Sequence, residues 1–149
     1  MSYQGYCNCQ SIRITLAQQP PNTVVCHCDC CKRSGGSGKW SCYLEQITYL
    51  WLISNLAFSL NYLVDADAMT VEDPNATLKV YDDKKSASGN IVKRHFCSNC
   101  GSAVFTKTPK LPGKAFLKAS LFETVSPPTA EVFDQKQFPW VTIQKPAEK

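Results

Sequence analysis

Eight of the nine cysteines in this 149-residue chain fall into three short clusters, and thiols this close in sequence restrict the folds to those that bring separate turns onto a shared ion. The clusters are Cys7-Asn8-Cys9, then Cys26-His27-Cys28-Asp29-Cys30-Cys31, then Cys97-Ser98-Asn99-Cys100-Gly101. The middle one reads as C-x-C-x-x-C on Cys26, Cys28 and Cys31. Tetrahedral zinc sites take thiolates as short-range pairs, each from a turn whose two sulfurs converge on the metal. The simplest partition is four plus three. Cys7, Cys9, Cys97 and Cys100 close one zinc site, and Cys26, Cys28 and Cys31 make a second with one position to spare. A closed set of four cysteines is structural, whereas three protein ligands leave room for water or substrate.

Glycine directly after Cys100 supports the metal reading of that pair, because the residue following a C-x-x-C turn often needs positive φ. A lone C-x-x-C could be a redox pair, but that would leave Cys7 and Cys9 without a role. Three thiolates on Zn2+ form an electron-rich centre, a poorer Lewis acid than one of three imidazoles and better suited to an incoming thiol. Coordination lowers a thiol's pKa, so the expected chemistry is at sulfur. The competing reading is a second structural zinc completed by Cys30, Cys42 or His27. His27 lies between two ligands and is expected to point away from them, and Cys30 adjoins Cys31 too closely to share its ion. Cys42 reads as a small buried apolar side chain, and His95 as a core or edge histidine. Solvation and turn-forming hydrogen bonds account for Glu72, Asp73, Asp82 and Asp83.

Length and a 44% hydrophobic composition suit one compact domain spanning residues 1–149. The N-terminal Met1-Ser2-Tyr3-Gln4-Gly5 has neither a basic nor an apolar leader segment, and cysteines without a secretory leader point to a reducing, cytoplasmic setting. The formal charge of +4 falls to about +1 once seven thiolates and two Zn2+ are counted. Basicity is therefore no argument for nucleic acid, and no basic run is interleaved with aromatics as a single-strand groove requires. A phosphate loop, a nucleophile elbow and a dinucleotide fingerprint are all missing.

Short alternating or β-prone runs occur at 11–16, 23–25, 39–44, 77–81, 91–96, 102–105, 115–118, 131–133 and 140–143, separated by Pro, Gly, Asn and Asp. They predict a mainly β fold, and nothing after residue 70 has the period of a long amphipathic helix. Three glycines at 35, 36 and 38 follow the central cysteines, either as a solvated turn or as backbone able to approach a ligand. Residues 46–64 (QITYLWLISNLAFSLNYLV) break the rhythm, being uncharged and close to the roughly 20 residues that span a bilayer. Ser54, Asn55, Ser59 and Asn61 argue against a span. A packed or surface-lying helix is favoured over an irregular insertion.

Three blocks carry a family resemblance: Gly5-Tyr6-Cys7-Asn8-Cys9, the stretch from Val25-Cys26-His27-Cys28 through Cys31-Lys32-Arg33-Ser34-Gly35-Gly36, and Phe96-Cys97-Ser98-Asn99-Cys100-Gly101-Ser102. In this order they resemble the glutathione-dependent formaldehyde-activating enzyme family, which includes centromere protein V-like domains. The resemblance implies a β-tent fold with two zinc ions. Cys7, Cys9, Cys97 and Cys100 would hold the structural ion, and Cys26, Cys28 and Cys31 the catalytic one. It further implies a carbon-sulfur lyase that joins the glutathione thiol to formaldehyde as S-hydroxymethylglutathione. The chain departs from the pattern at the apolar 46–64 segment. It departs again at Ala119-Ser120-Leu121-Phe122 and Pro128-Thr129-Ala130-Glu131, where the family has Gly-Thr-Leu-Asp and Pro-x-x-His. Phe138-Pro139-Trp140 keeps a late aromatic position.

The expectation is thus a small zinc enzyme acting on a thiol adduct, with two Zn2+ per chain and no nucleic-acid or membrane partner. The alternative is a non-catalytic binding module, both zincs structural, for a protein or chromatin partner.

Overall fold

A computed structural model describes residues 2–34 and 57–143. These form ten strands, one short helix and two 3-10 turns in two sheets. The smaller sheet is antiparallel and contains β1 (Tyr3–Tyr6), β2 (Arg13–Leu16) and β5 (Met69–Glu72) in the order β1-β2-β5. The larger has seven strands: β3 (Thr23–Cys26), β4 (Ser59–Asp65), β6 (Leu78–Asp83), β7 (Val92–Cys97), β8 (Ala103–Lys107), β9 (Lys114–Lys118) and β10 (Pro128–Val132). Its order is β10-β3-β4-β9-β8-β7-β6. Only the β10–β3 pairing is parallel.

The mainly β expectation holds. Six of the predicted runs, at 11–16, 23–25, 77–81, 91–96, 102–105 and 115–118, correspond to β2, β3 and β6 to β9 within one or two residues. The 131–133 run is the end of β10, and 39–44 lies outside the described residues. The run at 140–143 is not a strand. Pro139 carries no amide hydrogen for a ladder, the backbone turns with Val141 N–H donating to Phe138 O at 3.0 Å, and Trp140 stacks on the Phe138 ring instead.

The apolar 46–64 segment requires a larger correction. Ser59–Asp65 is β4, hydrogen-bonded on both sides by β3 and β9, so this part is neither a helix nor an insertion. Its polar residues make sense on a pleated strand. Leu60, Tyr62 and Val64 turn toward the core while Ser59 and Asn61 take the other face. Residues 46–56, and Cys42 before them, lie outside the described residues. Among the described residues no helix is long and apolar enough to cross a membrane.

Strands β1 and β5 escape a pattern search for physical reasons. β5 is four residues long, and β1 contains Gly5, a residue poor in intrinsic strand preference. The glycine is required by close approach: a Cβ built there would meet Phe122 Cε1 at 2.8 Å and the Leu121 carbonyl oxygen at 3.0 Å. Phe122 cannot yield freely, because its ring stacks on Tyr3 with centroids 4.2 Å apart. Gly5→Ala is expected to destabilise the protein by about 1–3 kcal/mol through overpacking, read as a shifted denaturant midpoint at unchanged slope.

The core fills the space between the sheets. Ile12, Ile14, Leu16 and Met69 come from the small sheet and Tyr62, Phe105, Ala115 and Leu117 from the large one. One face of the large sheet is thereby used up, and the opposite face remains for the site.

Candidate metal centre

The four outer cysteines converge as expected. Cys7, Cys9, Cys97 and Cys100 place their sulfurs within 4.8 Å of one another, with Cys7–Cys9 at 3.6 Å and Cys9–Cys97 at 3.7 Å. A tetrahedral ion with metal–sulfur bonds of about 2.3 Å needs sulfurs about 3.8 Å apart, so the set fits. Two tight turns aim them. In the first, Gln10 has φ 62° and donates to the Cys7 carbonyl at 2.8 Å. In the second, Gly101 has φ 74° and donates to the Cys97 carbonyl at 2.8 Å. The Ile12 amide points at Cys7 Sγ, 3.3 Å away, and the Asn8 amide donates to Ser102 Oγ at 3.0 Å, tying one turn to the other.

These thiols differ in acidity. Burial pushes Cys7 up to about 12, and hydrogen bonds, first from the Ser11 side chain, pull Cys9 down to about 5.

Cys26, Cys28 and Cys31 form a separate group with all three sulfurs within 4.8 Å. Cys26 ends β3, and Cys31 lies on helix α1 (Asp29–Ser34), whose first turn carries its amide to Cys28 Sγ at 3.4 Å. Hydrogen bonds shared among the thiols, together with burial, drive Cys26 upward. Hydrogen bonds from the Cys26 and Cys28 side chains pull Cys31 down. The helix is held from outside. Lys136 pairs with Asp29, and Lys32 packs over the Phe138 ring at 3.8 Å while donating to the Lys136 carbonyl.

Of the three neighbours considered as extra ligands, Cys42 lies outside the described residues, and His27 and Cys30 are directed elsewhere. His27 is fully buried and turns away, its Nε2 meeting Glu131 Oε2 at 3.0 Å and its ring set against Phe58. The alternation of side chains along an extended chain produces this. Cys30 directs its sulfur to the Lys85 carbonyl at 3.5 Å, and burial raises its pKa. His95 stacks on Phe105 at 4.0 Å, and desolvation lowers its pKa, consistent with a core histidine.

The two clusters differ in what surrounds them. Cys26, Cys28 and Cys31 open into a cavity of about 480 Å3 whose floor is the second face of the seven-stranded sheet. The strand register explains the floor: Cys26 lies opposite Ser59, Asn61 opposite Lys118, Phe116 opposite Thr106, and Thr106 opposite Arg94. Arg94 places Nη1 4.0 Å from Cys31 Sγ and pairs with Asp83 at 2.8 Å. Asp83 ends β6 and is 5% exposed, so the buried ion pair and a hydrogen bond from the Lys85 amide account for it, not solvation in a turn. Asp73 is a turn residue as expected, accepting from the Thr77 and Leu78 amides.

Three cationic residues among those described line the cavity, Arg94, Lys110 and Lys118, and all are absent from the sequence-based site. Lys118 is 2% exposed, with Nζ donating to Ser59 Oγ at 2.6 Å and Asn61 Oδ1 at 2.9 Å. The available signal was Ser59-x-Asn61, polar residues at period two inside an apolar run, and Lys118 closing the apolar Ala115-Phe116-Leu117.

The family model for "Glutathione-dependent formaldehyde-activating enzyme" matches residues 2–49 and 53–136. A Halomonas elongata protein named "Putative glutathione-dependent formaldehyde-activating enzyme" is 24% identical over 148 residues, covering 97% of this chain and 82% of that protein. A crystal structure of a Rhodobacter sphaeroides protein superposes with a TM-score of 0.57 at 16% identity, covering 87% of this chain and 99% of its own. That likeness supports the fold alone. Since the family match takes in both cysteine groups and nearly every described strand, the chain belongs to the glutathione-dependent formaldehyde-activating enzyme family.

Proposed function

We propose that the protein is a zinc enzyme of the carbon-sulfur lyase type, joining a thiol such as glutathione to formaldehyde or a similar small aldehyde and reversing that addition. The observation that carries this reading is the contrast between the clusters: one offers four thiols, the other three thiols on the wall of a cavity. Cys7, Cys9, Cys97 and Cys100 would hold a structural Zn2+, and Cys26, Cys28 and Cys31 a second. Bound at the three-cysteine site, Zn2+ would supply a positive charge that favours the thiolate form of a substrate sulfur.

The chain's own residues do the rest. Arg94, fixed by Asp83, puts a cation beside Cys31 and offsets the negative charge gathered by the cluster. Val24, Val92, Leu111, Phe116 and Val132 give the cavity apolar walls, which exclude water and strengthen charge interactions inside. The substrate sulfur donates a pair to the carbonyl carbon, the C=O π pair moves to oxygen, and that oxygen takes up the proton the thiol released. The product is an S-hydroxymethyl thioether, and the reverse steps cleave its carbon–sulfur bond.

The whole chain is read as one functional unit, and the described cysteines are all free thiols, as suits a reducing cytoplasmic setting. Metal content per chain, with and without glutathione, tests the proposal together with the rate of S-hydroxymethylglutathione exchange above the spontaneous reaction. Two zincs, one perturbed by the thiol, and an accelerated exchange are expected. One tight zinc or none, or exchange at the spontaneous rate, rejects it.

A further inference from the structure

Lys118 is a buried cation that the reading above does not use. Its position follows from register. Val24 and Cys26 on β3 face Asn61 and Ser59 on β4, and Asn61 faces Lys118 on β9. All these side chains emerge on the cavity side of the sheet, which has a period of two.

The hydrogen bonds around Nζ are oriented. Asn61 Nδ2 donates to the Val24 carbonyl at 3.4 Å and the Ser59 carbonyl at 3.0 Å, which leaves Oδ1 as an acceptor. Ser59 donates its hydroxyl hydrogen to that same Oδ1 at 3.1 Å, so its oxygen is also left to accept. Nζ is therefore offered two acceptors, while an ammonium carries three hydrogens. The third hydrogen has no partner among these groups, and Lys118 lines the cavity.

Charge points the same way. Among the described residues no Asp or Glu lines this cavity, and the buried carboxylate Asp83 is engaged by Arg94. A lysine kept for stability alone would gain more from a carboxylate than from two neutral oxygens, since a buried charge is costly unless well paired. Burial lowers the Lys118 pKa, and the charge that opposes this and favours the ammonium is that of the cysteine cluster, at the end of the cavity where the proposed chemistry takes place.

We propose that Lys118 is a catalytic residue, its ammonium donating a hydrogen bond from Nζ to the aldehyde oxygen as that oxygen becomes an alkoxide. The inference rests on the thiol–aldehyde reading of the same cavity. Lys118 transfers no proton in this step: the sulfur pair forms the C–S bond, the π pair moves to oxygen, and the ammonium stabilises the charge until solvent returns the thiol's proton. Ser59 and Asn61 are positioning residues that hold Nζ in place.

The test is Lys118→Met in the zinc-loaded full chain, because methionine retains an apolar stem and leaves Ser59 and Asn61 bonded to each other. Metal content and glutathione affinity by calorimetry are expected to stay within about threefold of wild type while turnover falls about 100-fold, the loss typical of one donor to a developing oxyanion. Turnover within about threefold of wild type overturns the inference. So does a parallel loss of metal or glutathione affinity, which marks Lys118 as a counter-ion of the thiols. If the variant does not fold, the wild type decides. The 15Nζ resonance of Lys118, assigned through its contacts with Ser59 and Asn61, is expected to move with glutathione plus formaldehyde and not with glutathione alone; a stationary signal overturns the inference. A wild type that fails to accelerate exchange rejects the reaction itself and this inference with it, which keeps the two failures apart.

Discussion

Cys97→Ser is expected to leave the chain unfolded at neutral pH, with a cooperative transition lost from the circular dichroism melt. Cys97 is fully buried at the end of β7, and its group joins the first turn of the small sheet to the β7–β8 turn of the large one. Closing such a site contributes about 10–16 kcal/mol in structural zinc peptides, which matches or exceeds the 5–15 kcal/mol net stability of ordinary domains. Serine is a poor zinc ligand at neutral pH and would leave a polar hydroxyl where no water reaches. A variant melting cooperatively within a few degrees of wild type would show that the sheets hold without this ion.

Cys28→Ser is expected to do the opposite: preserve the fold and abolish activity. Cys28 adjoins α1 and lines a cavity rather than joining two sheets. Its contribution to the helix comes mainly through its carbonyl, which accepts from Lys32 N–H at 3.0 Å and survives the substitution. Metal should drop from two ions per chain to one, stability should change by about 1 kcal/mol, and exchange should revert to the spontaneous rate. Retained catalysis with one ion per chain would remove the three-cysteine group from the mechanism. Global unfolding would make it a second structural site, the alternative reading in which the protein is a binding module.

The sequence exposes the thiol groups because their members come in sets spaced two or three residues apart, a separation at which a single turn fixes the geometry. Strand β2 is legible for a related reason, since its alternation of polar and apolar residues is a local property. What alternation leaves out is which face meets the core. Phe116 and Leu117 are equally apolar in sequence, yet one lines the cavity and the other is buried between the sheets. Lys118 illustrates the same limit. A lysine at a strand end ordinarily extends to solvent, and only the register of three neighbouring strands places this one over Ser59 and Asn61. The 46–64 segment misleads because lack of charge is common to a bilayer span and a central strand, and β4 has its polar residues on the side where a cavity can satisfy them.

The four-cysteine group has a consequence for biosynthesis. Cys9 and Cys97 meet across 88 positions of sequence, so a ribosome making about 5–20 residues per second exposes Cys7, Cys9, Cys26, Cys28 and Cys31 for several seconds before the last pair emerges. A metal ion captured during that interval finds only early thiols and is held by the wrong set. On the proposed two-zinc reading, such a chain gains its four-cysteine site only by exchanging the early ligands once Cys97 and Cys100 arrive.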